Sequence, residues 1–206
     1  MGKKIPVLLF VEGKSENNYF TKLLPRIPYV GHGYTIITQK SQSKNHKIIQ
    51  EMLLYIKNHE LDFKKKYLLW DKDVIDNNEF EKIISLAKKN NISVLFSNPC
   101  FEVFLLLHYK EFNCEQNNRW YYDELSREMQ LNKLGGYERN KAKLDDHGKY
   151  DELIKYGKLR EYLKNIRKLE AHHKRENKGK INHLLNPYTN ILNFFDDIGL
   201  THELEK

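Results

Sequence analysis

Four short apolar runs are spaced along the first half of the chain: "IPVLLFVE" (Ile5 to Glu12), "YTIIT" (Tyr34 to Thr38), "YLLW" (Tyr67 to Trp70) and "ISVLFS" (Ile92 to Ser97). None alternates apolar with polar positions, which is the pattern of strands covered on both faces and predicts a parallel sheet. Between them apolar residues recur at helical spacing: Tyr19, Phe20, Leu23 and Leu24, then Ile48, Ile49, Met52, Leu53 and Ile56, then Phe80, Ile83, Ile84 and Ala87. Strand, helix and strand in turn make right-handed βαβ crossovers and an α/β fold. After the fourth run, "SNPCFEVFLLLHYKEF" reads as a buried helix with Asn98 as its cap and Pro99 in its first position. From about Asn113 onward the pattern is helical only, broken by the paired-glycine loop Lys133 to Tyr150. The expected organisation is an α/β core over 1–112 and a helical annex over 113–206 packed on it.

Acids stand where such a sheet gathers its chemistry. Loops and helix N-termini converge at the carboxyl ends of parallel strands. Glu12 closes the first run, and Asp71 and Asp73 follow the third, two residues apart, so both can face one way in an extended segment. Glu16 lies one helical turn beyond Glu12, and Glu102 falls in the first turn after the fourth run. Each acid alone suits a helix cap or a first-turn position favoured by the helix dipole. Together they form a rim where like charges about 4 Å apart repel by roughly 4 kcal/mol at an effective dielectric of about 20. A hard divalent cation, Mg²⁺ or Mn²⁺, relieves that repulsion and couples such sites to phosphate chemistry. A phosphatase-type DxD, whose first Asp is a nucleophile, belongs at the end of the first strand, whereas this one closes the third.

The charge balance points to a polyanionic partner. The chain has 206 residues, 35 Lys and Arg against 28 Asp and Glu, a net charge of +7 and 40% apolar residues, enough for one real core. The basic run Lys164 to Lys180 is either a solvated helix face or a surface that tracks a nucleic-acid backbone, with Lys174, Arg175, Lys178 and Lys180 as contacts and Lys14 and Lys72 beside the acids. Trp120 to Tyr122 suit either the annex core or base stacking. Cys100 reads as core and His108 as a satisfied buried histidine. Cys100 and Cys114 form no CxxC pair, and "MGKKIPVLLFVEGK" has no signal-peptide pattern, so a reduced, cytoplasmic protein without a membrane span is expected. No GxxxxGK[ST] loop is present, so any ATP use falls to a partner.

A glutamate closing the first strand in "VEG" with a later DxD resembles the Toprim domain of topoisomerases, primases and OLD-type nucleases. More closely, "VEGKSENNYF", "WDKD", "SNPCFEVFLLLHY" and "NPYTNILNFFDDI" together resemble the RloB-like family, Toprim-related prokaryotic proteins of restriction and phage-defence loci. The Toprim resemblance implies that Glu12 is a general acid or base and that Asp71 and Asp73 hold metal. The RloB-like resemblance draws attention to Asn98, Pro99, Phe101, Glu102 and His108, and implies a partner ATPase encoded nearby. That family usually has tryptophan where this chain has Phe104. The expectation is a metal-dependent nuclease, with DNA and RNA, including transfer RNA, both open. The alternative is a non-catalytic nucleic-acid or partner-binding module.

Overall fold

A computed structural model describes residues 4–27, 33–42, 47–59, 62–72, 75–132, 134, 149–180 and 182–206. Asp73 and most of the 133–150 loop therefore lie outside the described residues.

The four apolar runs are strands β1 (Ile5–Val11), β2 (Tyr34–Lys40), β3 (Lys65–Asp71) and β4 (Ser93–Asn98), paired in parallel in the order β2-β1-β3-β4. The connecting helices are α1 (Lys14–Leu23), α2 (Lys47–Asn58) and α3 (Asn77–Lys89). Successive side chains of a strand point to opposite faces, and β1 shows why its run is continuously apolar. Val7, Leu9 and Val11 enter one core cluster, while Leu8 and Phe10 enter another across the sheet. Each such side chain contributes about 1.5–3 kcal/mol by leaving water. The second cluster is closed by Ile48, Ile49 and Met52 of α2 and Phe80, Ile83 and Ala87 of α3. Asp76 caps α3 by accepting the Glu79 N–H at 2.9 Å. β2 is an edge strand and only half-buried, so double-sided cover fails there.

Two local expectations are corrected. Asn98 is the last residue of β4 rather than a helix cap, and the Asn98-Pro99 peptide is cis. The next helix, α4 (Glu102–Leu106), starts only at Glu102 and is buried throughout. The second half of the chain also holds a strand, β5 (Tyr188–Thr189), which pairs antiparallel with β4 and makes the sheet five-stranded. Two residues carry no periodicity to read. The Asn190 side chain extends this pairing: its Oδ1 accepts the Phe96 N–H at 2.6 Å and its Nδ2 donates to Val94 O at 3.0 Å. Asn98 Nδ2 donates to Leu185 O, and Asn186 bridges Gln116 O and the Tyr121 hydroxyl. The "SNPCFE" and "NPYTN" segments thus meet as architecture.

The remaining helices are α5 (Asn118–Leu131), α6 (Lys149–Leu153), α7 (Tyr156–Glu176), α8 (Ile191–Asp197) and α9 (Leu200–Leu204). Tyr121, Leu125, Tyr162, Phe194 and Phe195 share one apolar cluster with Val7, Leu9 and Val11, so these helices cover the α1 face of the sheet. At its centre Phe104, fully buried, packs edge-on to Tyr19 at 5.0 Å and Tyr162 at 4.9 Å between ring centroids. Trp120 and Tyr122 are half-buried against the same cluster. Among the described residues no helix is long and apolar enough to cross a membrane.

Candidate active site

The parallel register carries the ends of β1 and β3 to the same edge of the sheet. Val11 pairs with Leu69, and the Glu12 N–H donates to Leu69 O at 3.1 Å, so Glu12 leaves β1 beside the end of β3. The Asp71 N–H then donates to Glu12 Oε2 at 3.3 Å. On the far side Asp71 pairs with Ser97 of β4, and the cis turn that follows leads into Glu102. Glu16 comes from the first turn of α1. Its carboxylate lies over Gly13: a Cβ there would stand 2.3 Å from Glu16 Oε2, so the residue after Glu12 leaves the space that Glu16 fills.

The structure therefore brings together Glu12, Glu16, Asp71 and Glu102, four of the five acids the sequence points to, while Asp73 lies outside the described residues. Their electrostatics are those of a crowded, dry rim. Glu16 is buried, and burial first, then the charges of Glu102 and Glu12, push its pKa up to about 8. Asp71 as a whole is half-buried, but its Oδ1 is enclosed and has no hydrogen-bond partner among the described residues. Burial and then the charges of Glu16, Glu102 and Glu12 hold its carboxyl well above the usual carboxylate range. Cys100, also buried, lies against Glu102, and burial followed by the charges of Glu102 and Asp71 pushes its thiol up. Glu12, like Asp71, is half-buried, whereas Glu16 and Glu102 are buried.

This donor set fits a hard divalent ion: it is all carboxylate, one enclosed oxygen lacks a partner among the described residues, and burial forces protons onto groups that a cation would return to the charged form. Among the described residues no group of three His, Cys, Asp or Glu side chains is already drawn together tightly enough to hold an ion.

The other singled-out residues divide. Lys14 is exposed at the start of α1, and Lys72, half-buried after Asp71, has its pKa lowered by burial. Lys174, Arg175, Lys178 and Lys180 are exposed at and beyond the end of α7, with Arg175 Nε 2.6 Å from Glu176 Oε1. His173, inside the same basic run, is buried and donates from Nε2 to Pro187 O at 2.7 Å, holding the chain before β5. His108 is fully buried, and burial lowers its pKa to about 3. Its Nδ1–H donates to Phe104 O at 3.0 Å, so Nε2 accepts the Tyr19 hydroxyl at 2.8 Å and ties α1 to the end of α4. Sequence reasoning passed over Lys40, which closes β2 as Glu12 and Asp71 close their runs; the strand-end rule applied to "YTIIT" would have found it.

A mostly parallel five-stranded sheet with carboxylates at its carboxyl edge places the chain among Rossmann-like, Toprim-type α/β proteins. The family model described as RloB-like protein matches residues 7–198, and the chain belongs to that family. No curated protein and no solved structure matches it.

Proposed function

We propose that this protein is a metal-dependent phosphodiesterase that cuts nucleic acid. The observation that carries the reading is the convergence of Glu12, Glu16, Asp71 and Glu102 from separate elements around an enclosed Asp71 Oδ1 that has no partner among the described residues. Asp71, Glu12 and Glu16, with Asp73 two residues after Asp71 in sequence, would hold Mg²⁺ or Mn²⁺. Such an ion polarises a phosphate and lowers the pKa of a bound water. In hydrolysis the water oxygen forms a bond to phosphorus as the ester P–O bond breaks and the leaving oxygen takes the electron pair and a proton. Glu12, half-buried at the end of β1, takes the proton that the water loses, while Glu16 and Glu102 shape the rim. The exposed cations at the end of α7 supply backbone attraction. The family resemblance supports a role in prokaryotic phage defence with a partner ATPase.

The test is incubation with labelled transfer RNA, duplex DNA and single strands, in Mg²⁺ or Mn²⁺ against chelator. Metal-dependent cleavage of one of these is expected; no cleavage of any with either ion would overturn the reading. A non-catalytic binding module is the second reading, favoured by the lack of a ready three-ligand group among the described residues.

A further inference from the structure

A rim of carboxylates repels the substrate it is meant to cut, since each phosphodiester carries a negative charge into it. Besides Lys14 and Lys72, the structure sets a third lysine, Lys40, at this edge. Lys40 is the last residue of β2 and pairs in register with Val11, the residue before Glu12. The Ser41 N–H donates to Val11 O at 2.8 Å, which pins the chain as it leaves the strand. Lys40 is half-buried, and its Nζ donates to Ser41 O at 3.0 Å, so the ammonium is folded over the strand end. α1, which carries Glu16, packs against β2, the strand that Lys40 ends.

We infer that Lys40 is a catalytic residue that holds a non-bridging oxygen of the substrate phosphate at the mouth of the carboxylate rim. The inference rests on the phosphodiesterase reading above. As the P–O bond to water forms and the ester P–O bond breaks, charge gathers on the non-bridging oxygens, and a fixed ammonium lowers that barrier more than it aids binding of the ground state. Without substrate the same ammonium opposes a divalent cation in the rim.

Two readouts with opposite signs separate this role from a structural one. Lys40→Met should lower kcat by about 100-fold or more at saturating Mg²⁺ and substrate, with a much smaller change in KM. Lys40→Arg should recover most of the rate. In calorimetry without nucleic acid, Lys40→Met should bind Mn²⁺ about threefold to tenfold more tightly, because one positive charge has left the rim. A folding lesion would weaken Mn²⁺ binding instead. The assignment is overturned if Lys40→Met cuts at the wild-type rate, or if its Mn²⁺ affinity is unchanged or falls. A wild-type protein that cuts nothing overturns the phosphodiesterase reading and this assignment with it, whereas a wild-type protein that cuts alongside an equally active Lys40→Met overturns the Lys40 assignment alone.

Discussion

The backbone N–H of Asp71 donates to Glu12 Oε2 across 3.3 Å, so the acid that ends one strand is oriented by the last residue of the strand beside it. That bond answers why an acid stands at the end of a buried run. Glu12 is part of the sheet edge, and its carboxylate is held over the next strand end rather than released into a loop.

Asp71→Asn keeps nearly the same shape and removes one charge from the rim. In chelator its melting temperature should rise, because folding no longer has to keep a proton on a carboxyl that burial holds well above the usual range, by about 2–4 °C for each kcal/mol gained in a chain of this size. Stabilisation by Mn²⁺ should shrink, nucleic acid should still bind, and cleavage should be lost. Thermal scans with and without Mn²⁺, beside a cleavage assay, check it; wild-type cleavage by this variant would remove Asp71 from the chemistry.

The Glu16 carboxyl, pushed up to about 8 against an ordinary value of 4.5, sets a pH dependence for the metal-free protein. Across that window the folded chain keeps a proton that the unfolded chain gives up. The stabilisation linked to this proton is complete below 4.5 and is lost as pH rises through about 8. Relative to Glu16→Gln, the metal-free wild type should therefore lose melting temperature between those limits. Mn²⁺ should bind more tightly as pH rises and release about one proton. A pH-independent gap between the two melting curves would contradict this.

Tyr19→Phe leaves the ring in place but takes the hydroxyl donor from His108 Nε2, which is sealed from water. The cost should be about 1–3 kcal/mol, seen as a lower melting temperature with no loss of secondary structure. His108 also contributes on the acid side. Its folded pKa of about 3 lies below the ordinary 6.5, so the stability it lends is present above 6.5 and is lost as pH falls through that window. Acid titration of the wild type against His108→Gln measures that share.

Replacing Lys174 and Arg175 with glutamate acts on binding. Both are exposed, and the Arg175–Glu176 pair is a surface ion pair that holds its arginine weakly. Affinity for nucleic acid should fall and its salt dependence flatten, by about 0.9 of slope for each lost contact on B-DNA or about 0.7 on single strands. Cleavage should recover at saturating substrate. An unchanged salt slope would leave this end of α7 a plain solvated surface.

The α/β class and most of the acidic rim were legible in sequence, because both follow from local order. A strand buried on both faces must be apolar along its whole length, as Val7 to Val11 is, so the first charge after it marks its end. Parallel strands put those ends on one edge, which carried Glu12 and Asp71 together before any contact was known. Glu16 and Glu102 followed from helix starts. Tertiary structure alone decided the rest. Asn98 looks like a helix cap, yet its amide is used up by Leu185 O and that of Asn190 by the β4 backbone, partners 87 and 94 to 96 residues away. Hydrogen bonds of that span leave no periodic trace, and neither does the two-residue strand they support. His173 sits in a basic run that reads as solvent-facing throughout, but the turn before β5 closes over it and buries it. Charge composition describes what a helix can face; which residue is taken from water depends on what the chain packs against it.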